Sequence, residues 1–248
     1  MAQSTLLKLK ENLVLLLINL KVKLGNLIEF IRVVFKYYPN LNFFKIDSML
    51  LLSYLLANPF HVSKRFLLQR GERDVYTYGE TPLTTLDLIA HICGLSVQDI
   101  VVELGCGRGR TCFWLNQFIG CTVVGIDYVP AFIEKAQKIK DRFHVQRVSF
   151  LLEDLFQADL TGATVIYLYG TCFSAAFIDL LIERFSQLPE GTKIITVSYA
   201  LTEYQSEAPF EVLKQFPASF TWGKTDVYLQ IKKHCGMKKT KFPHAKKF

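Results

Sequence analysis

The 248-residue sequence is poor in the residues that build metal centres and disulfide frameworks. Its six cysteines, Cys93, Cys106, Cys112, Cys121, Cys172 and Cys235, include no C-x-x-C pair. Its histidines, His61, His91, His144, His234 and His244, share no ligand-like spacing with one another or with cysteine. A zinc ribbon, a bound metal and a disulfide scaffold are therefore not expected, and the thiols read as reduced, in a cytoplasmic setting. Long apolar runs are missing too. Lys8, Lys10, Glu11, Lys21, Lys23, Glu29 and Arg32 interrupt the Leu-, Ile-, Val- and Phe-rich first sixty residues before eighteen apolar positions accumulate, which argues against a simple bilayer-spanning helix. A secretory signal is not expected either, because Val14 to Leu20 is short, contains Asn19 and precedes no small-x-small site. There is no internal repeat.

What is present is a chain that is 50% hydrophobic and 21% charged, which excludes a disordered or collagen-like protein and leaves one large domain with or without an extension. The net charge of +7 resembles a nucleic-acid signal only until it is divided along the chain. Residues 1–60 hold 7 basic and 3 acidic groups, residues 61–231 hold 15 and 19, and residues 232–248 hold 7 and none. The middle is acidic and the ends are basic. Three units follow: an apolar basic helical extension over 1–60, a folded acidic domain over 61–231 and a lysine-rich tail over 232–248. In the extension the pattern predicts helices at about 6–24 and 26–37, ended by Pro39, and a third at about 47–57, ended by Pro59. Such helices either cap the domain with their apolar faces or lie in an anionic membrane surface.

From Thr84 onward, helical and strand patterns alternate. Helices are expected at Leu86–Cys93, Thr111–Phe118, Pro130–Asp141 and Ser174–Ser186. Strands are expected at Asp99–Leu104, Thr122–Ile126, Val148–Leu152, Ala163–Tyr169, Lys193–Ser198 and Asp226–Lys232. This spacing implies α/β architecture: a doubly wound, mostly parallel sheet with helices on both faces, binding its ligand beyond the carboxyl ends of the strands.

The sharpest chemical feature is Val101-Val-Glu-Leu-Gly-Cys-Gly-Arg-Gly109, an apolar strand running into Gly105, Gly107 and Gly109. Glycines permit a tight turn and let a ligand approach the backbone, and the next helix aims its N-terminus at the same place. A dinucleotide loop would be G-x-G-x-x-G, whereas position 110 is arginine. The spacing E-x-G-x-G-x-G, with Glu103 placed to face a cationic group, resembles the first motif of the class I S-adenosylmethionine-dependent methyltransferases. A nucleoside cofactor also needs a carboxylate at the end of the second strand for its ribose hydroxyls, and Asp127 stands there. Asp127 can equally cap the helix beginning near Pro130. Asp154 ends the next strand, where that family holds the adenine amino group; Glu153 is the alternative.

Upstream stands Val75-Tyr-Thr-Tyr-Gly-Glu-Thr-Pro82. It resembles the Y-G-E-T segment of the disruptor-of-telomeric-silencing type of lysine methyltransferase, which is built on a seven-strand Rossmann-like sheet. The resemblance extends loosely over residues 75–231, through Val165–Phe173, Leu188–Gly191 and Ser219–Lys224. It implies that Glu80 and Thr81 close over the methionine end of S-adenosylmethionine. Where that family has an asparagine pair after the fourth strand, this chain has Tyr169, Gly170 and Thr171, so cofactor binding carries over and histone-type specificity does not.

Methyl transfer needs alignment and a dry, electron-rich channel more than a dedicated acid or base. An attacking amine must be neutral, and aromatic walls lower its pKa by desolvating the ammonium. Tyr169, Phe173, Tyr199 and Trp222 are candidate walls, with Tyr169, Thr171 and Phe173 the candidate catalytic residues. Cys106 reads most simply as a small residue in a tight turn. The expected function is methylation of a protein lysine. The alternatives are methylation of a lipid headgroup or small molecule at a membrane, and a non-catalytic module binding nucleic acid or membrane. Expected partners are a protein substrate and, through the two ends, an anionic surface. The expected location is cytoplasmic, with peripheral membrane association left open.

Overall fold

In the computed structural model, which describes residues 2–72, 74 and 78–233 (backbone alone for 2–12), the apolar runs pair into one seven-stranded sheet. Its strands are β1 (Ile100–Leu104), β2 (Thr122–Asp127), β3 (Val148–Leu152), β4 (Val165–Leu168), β5 (Lys193–Val197), β6 (Phe210–Phe220) and β7 (Gly223–Lys232). Their order is β3-β2-β1-β4-β5-β7-β6. The first five strands are parallel, and β7 runs antiparallel to both neighbours. Chain order reverses beside β1, with β2 on one side and β4 on the other, which opens a crevice beyond their carboxyl ends. Residue alternation supplies the two faces. Val101, Val123, Val165 and Ile195 enter one core, while Val102, Ile126, Ile166 and Ile194 enter the other.

Direct pattern reading missed β6. Most of its positions are exposed and Pro217 lies within it, both consistent with a sheet edge, where a missing N–H costs no ladder bond.

The helices are α1 (Ala2–Tyr37), α2 (Leu41–Ser53), α3 (Pro59–Gln69), α4 (Leu83–Ile92), α5 (Arg110–Trp114, continued by a wide π-type turn over Leu115–Ile119), α6 (Pro130–Arg142) and α7 (Ala175–Phe185). Three expectations for the first seventy residues are corrected. The helices expected at 6–24 and 26–37 are one, because Gly25 in an exposed helix costs only about 1 kcal/mol against alanine and does not break it. The helix expected at 47–57 begins earlier and ends earlier: Asn40 caps its start by accepting the Phe43 N–H at 3.0 Å. Pro59 opens a helix as well as following one. It occupies the first turn of α3, behind the Asn58 cap, where its missing N–H is not needed, and α3 runs across residue 60.

The first helices are also not uniform in environment. Val33, Tyr37, Phe43, Ile46 and Leu50 are buried in the same core as β1 and β2. α1 is tied to α4 as far back as Glu29, which accepts the Thr84 N–H at 3.0 Å and the Thr84 hydroxyl at 2.6 Å, whereas Leu13, Val14, Leu15, Leu16, Leu17 and Ile18 are all exposed, consecutive residues that cover every side of the helix. Among the described residues no helix is long and apolar enough to cross a membrane. The tail beyond Lys233 and the segment Val75–Thr77 lie outside the described residues.

Candidate functional site

The glycine loop leaves β1 at Leu104 and turns under three left-handed residues before α5. Gly109 is the tightest: it has φ +76°, and a Cβ there would stand 2.4 Å from the Phe150 ring. Gly105, with φ +78°, is the opposite case, since a Cβ would meet nothing within 4 Å. That open side faces the crevice and leaves bare backbone available to a ligand.

Two buried carboxylates flank the loop. Asp127 accepts the Gly107 N–H at 2.8 Å on one oxygen and the Val129 N–H at 2.9 Å on the other, so it ties the loop to the start of α6 and still has acceptor capacity on each oxygen. Both of its expected roles, cap and crevice acid, are compatible with this position. Burial pushes its pKa up to about 6 despite those bonds. Glu103 accepts the Thr111 hydroxyl at 2.6 Å and the Cys112 thiol at 3.1 Å, and burial pushes it up to about 7. Among the described residues neither acid has a basic side chain in salt-bridge contact. A bound cation beside Glu103 and hydroxyl donors beside Asp127 would complete both, which is the donor and charge pattern of an amino-acid nucleoside.

The segment Tyr78–Pro82 lies over this loop. A Cβ at Gly107 would be 3.0 Å from the Tyr78 ring, and one at Gly79 would be 2.6 Å from Tyr169. Thr81 is buried and hydrogen-bonded to the Tyr167 hydroxyl of β4 at 2.5 Å. Glu80 pairs with Arg108 of the loop, at 2.5 Å to Nε and 2.7 Å to Nη2, and also receives the Tyr78 hydroxyl. Arg108 holds the Glu80 carboxyl below its ordinary value against the opposing effect of burial.

At the end of β4, Tyr169, Gly170, Thr171 and Phe173 line a cleft together with Gly105 and Asp127. The cleft is small, with about 100 Å³ of room in it. Tyr169 accepts a hydrogen bond from the Trp222 indole at 2.7 Å and packs on Phe220. The Phe173 ring covers Gly170, whose absent Cβ makes room for it. Tyr199 is buried beside Tyr204 and does not line the cleft. Asp154 is exposed at the rim and caps its own turn through the Phe156 N–H at 2.9 Å, with Glu153 half-buried beside it. Leu155, the next residue, is the one from this segment that lines the cleft. Cys106 is buried and its pKa is pushed up to about 11, the mark of a packed small residue. Among the described residues no cluster of His, Cys, Asp or Glu could hold a metal ion.

Sequence reasoning missed Arg108, Arg110 and Asp47. Arg110 forms two 2.7 Å bonds with Asp47 of α2, whose side chain is fully buried. The signal was available, because Asp47 is the single acid between Glu29 and Glu72 in a strongly apolar stretch.

A family model described as the ANTKMT methyltransferase domain matches residues 103–208. The chain is similar to the sterol 24-C-methyltransferase of Kluyveromyces lactis, 24% identical over 123 residues, covering 48% of this chain and 33% of that protein. It is also similar to the H3 lysine-79-specific histone-lysine N-methyltransferase of Dictyostelium discoideum, 24% identical over 135 residues, covering 48% of this chain and 7% of that one. The chain thus spans a third or less of these curated relatives. Among solved structures, an RNA methyltransferase from Salinibacter ruber in complex with S-adenosyl-L-homocysteine superposes with a TM-score of 0.52 at 24% identity, covering 62% of this chain and 94% of that one. Magnesium protoporphyrin IX methyltransferase from Synechocystis, with bound S-adenosylmethionine, gives 0.52 at 13%, covering 72% and 99%. These likenesses bear out the doubly wound, seven-strand fold expected from the sequence.

Proposed function

We propose that this class I S-adenosylmethionine-dependent methyltransferase transfers its methyl group to a lysine side chain of a protein substrate. The observation that carries the lysine reading is the Tyr78–Pro82 segment. Through Thr81 and Tyr167 it is fastened to β4, and through Glu80 and Arg108 it is fastened to the glycine loop, which supports the Y-G-E-T resemblance. The distant H3 lysine-79 relative supports the same reading.

Bound S-adenosylmethionine supplies an electrophilic methyl on a sulfonium whose leaving group is a neutral thioether. Asp127 would hold the ribose hydroxyls, Glu103 the ammonium of the methionine part, and the open side of Gly105 the adjoining chain. Tyr169 and Phe173 form an aromatic wall at the strand end, and Trp222 holds the Tyr169 hydroxyl in place. Such a wall desolvates an incoming ammonium and lowers its pKa, so more of the amine is neutral when it attacks. Glu80, already neutralised by Arg108, acts in this reading by holding the Tyr78–Pro82 segment against the loop.

A second reading, methylation of a lipid or other hydrophobic acceptor, is favoured by the exposed apolar length of α1 and by the sterol methyltransferase relatives. In both readings α1 rests in an anionic membrane surface on the cytoplasmic side. Leu13 to Ile18 are exposed with nothing among the described residues packed over them, and acyl chains would cover the apolar side of a helix lying in the interface. Lys21, Lys23 and Arg32 give it the charge for anionic headgroups. Intact Glu103, Gly105, Gly107, Gly109 and Asp127 argue against a non-catalytic module.

The test is transfer of a tritiated methyl group to a cell lysate subsequently divided into protein, lipid and nucleic-acid fractions. Label in protein that survives acid hydrolysis as methyl-lysine is the expected result. Label confined to lipid transfers the assignment to the second reading, and label in neither removes both.

A further inference from the structure

The glycine loop is gripped from outside the sheet on both of its flanks. Arg108 is held by Glu80 of the Tyr78–Pro82 segment, and two residues later Arg110 is held by Asp47 of α2. We propose that Asp47 and Arg110 are positioning residues for the cofactor loop, and that the N-terminal helices are thereby a working part of the cofactor site rather than an appendage to it. This rests on the reading of the crevice as a S-adenosylmethionine site.

The pair is built as a fixed joint. Arg110 directs Nε to one Asp47 oxygen and Nη2 to the other, each at 2.7 Å, and the Tyr38 hydroxyl fills a further acceptor position at 3.0 Å. A fork of this kind fixes an angle as well as a distance. The joint sits directly after Gly109, where the Phe150 ring leaves no room for a Cβ, and at the first residue of α5. Behind it, Tyr37 packs on Trp114 at 5.6 Å and Phe43 on Phe118 at 5.1 Å, so α1 and α2 hold α5 through apolar contacts as well.

Those ring contacts are what make the ion pair informative. Burying two charges costs desolvation that their attraction recovers only in part, and well-packed apolar residues commonly hold such a place as firmly. With an aromatic interface already present, the charged fork adds little cohesion. What it adds is direction, at the point where the loop must offer its backbone to a ligand through Gly105.

Two variants separate positioning from mere cohesion: Arg110→Lys, which keeps the charge and loses the fork, and the double replacement Asp47→Leu with Arg110→Met, which removes both charges and keeps apolar volume. Calorimetric titration with S-adenosylhomocysteine gives the affinity of each full-length protein, corrected for the folded fraction read by circular dichroism, and thermal melting gives its stability. We expect the double variant to melt no lower than wild type yet bind about tenfold more weakly, and Arg110→Lys to lose about threefold or more at a preserved melting temperature. Wild-type affinity in a folded double variant overturns the inference. If the double variant does not fold, Arg110→Lys decides: unchanged affinity, or a loss no larger than its unfolded fraction explains, overturns it. Wild-type protein that binds no S-adenosylhomocysteine overturns the cofactor reading, and this inference with it.

Discussion

Raising the pH from about 5 to about 8 should destabilise the ligand-free protein while tightening its hold on S-adenosylhomocysteine, and Glu103 is the group responsible. Its carboxyl has an ordinary value of 4.5 and is raised to about 7, chiefly by burial. Between those values the folded chain keeps a proton that the unfolded chain has released. Stability therefore falls with pH in that window, by about 1.4 kcal/mol per unit, to a total of about 3 kcal/mol. Asp127, raised from 3.8 to about 6, adds a loss of the same sign at the lower end. Glu80 is lowered, so its contribution disappears only as the pH falls through its folded value, below 4.5 and outside the window. For a chain of this size, about 3 kcal/mol corresponds to a drop of about 6–12 °C in melting temperature. Ligand binding runs the other way, because an ionised Glu103 attracts the ligand's ammonium and a protonated one does not. Thermal melts at constant ionic strength, paired with calorimetry across the same pH range, measure both slopes. Glu103→Gln should flatten both between about pH 6 and 7.5. A wild-type melting temperature that stays level or rises across this range, or a Gln variant with unchanged slopes, refutes the reasoning.

Gly109→Ala should cost about 2–5 kcal/mol in chemical denaturation, the sum of a left-handed backbone and an overpacked contact with Phe150; a cost under about 1 kcal/mol would mean the loop relaxes freely. Asp127→Ala should weaken S-adenosylhomocysteine by about 1.5–3 kcal/mol, read by calorimetry, and an unchanged affinity would place the ribose elsewhere. Replacing Leu16 and Leu20 by Glu should abolish flotation with anionic vesicles at physiological salt while leaving the melting temperature unchanged, since both side chains are more than half exposed. Wild type that fails to float would remove the membrane reading of α1.

The sheet was legible because its strands are short apolar runs bounded by glycine and polar turns, and because a buried parallel strand has no exposed face to blur the pattern. β6 was hidden for the converse reason: an edge strand with Pro217 inside it looks like a loop. The first seventy residues were misdivided where one residue type has two uses. Pro59 both follows one helix and starts another, and Gly25 punctuates a sequence without breaking the backbone it belongs to. In the site, Gly105, Gly109 and Asp127 were recoverable from spacing, since a tight turn and a strand-end acid are local requirements. The partners of Arg108 and Arg110 were not, because each lies at least 28 residues away on an element whose placement only the packing of the whole chain decides. Glu80 illustrates the difference: its segment could be placed over the crevice, but its engagement by Arg108 could not.

Both arginines of the glycine loop are paired, Arg108 with Glu80 and Arg110 with Asp47, so each brings its own balancing acid. Among the described residues Glu103 and Asp127 have no salt-bridge partner, and as they ionise they make a negative well beside the glycine loop. Methyl transfer removes one positive charge from the cofactor, turning a sulfonium into a thioether. In the proposed reaction the reactant would therefore be held by an attraction that the product has lost, and turnover would itself loosen the grip that otherwise causes product inhibition. This preference should widen as Glu103 ionises, so the ratio of the two dissociation constants, product over cofactor, should climb between about pH 6 and 8. A ratio independent of pH would show that the well is not felt at the sulfur.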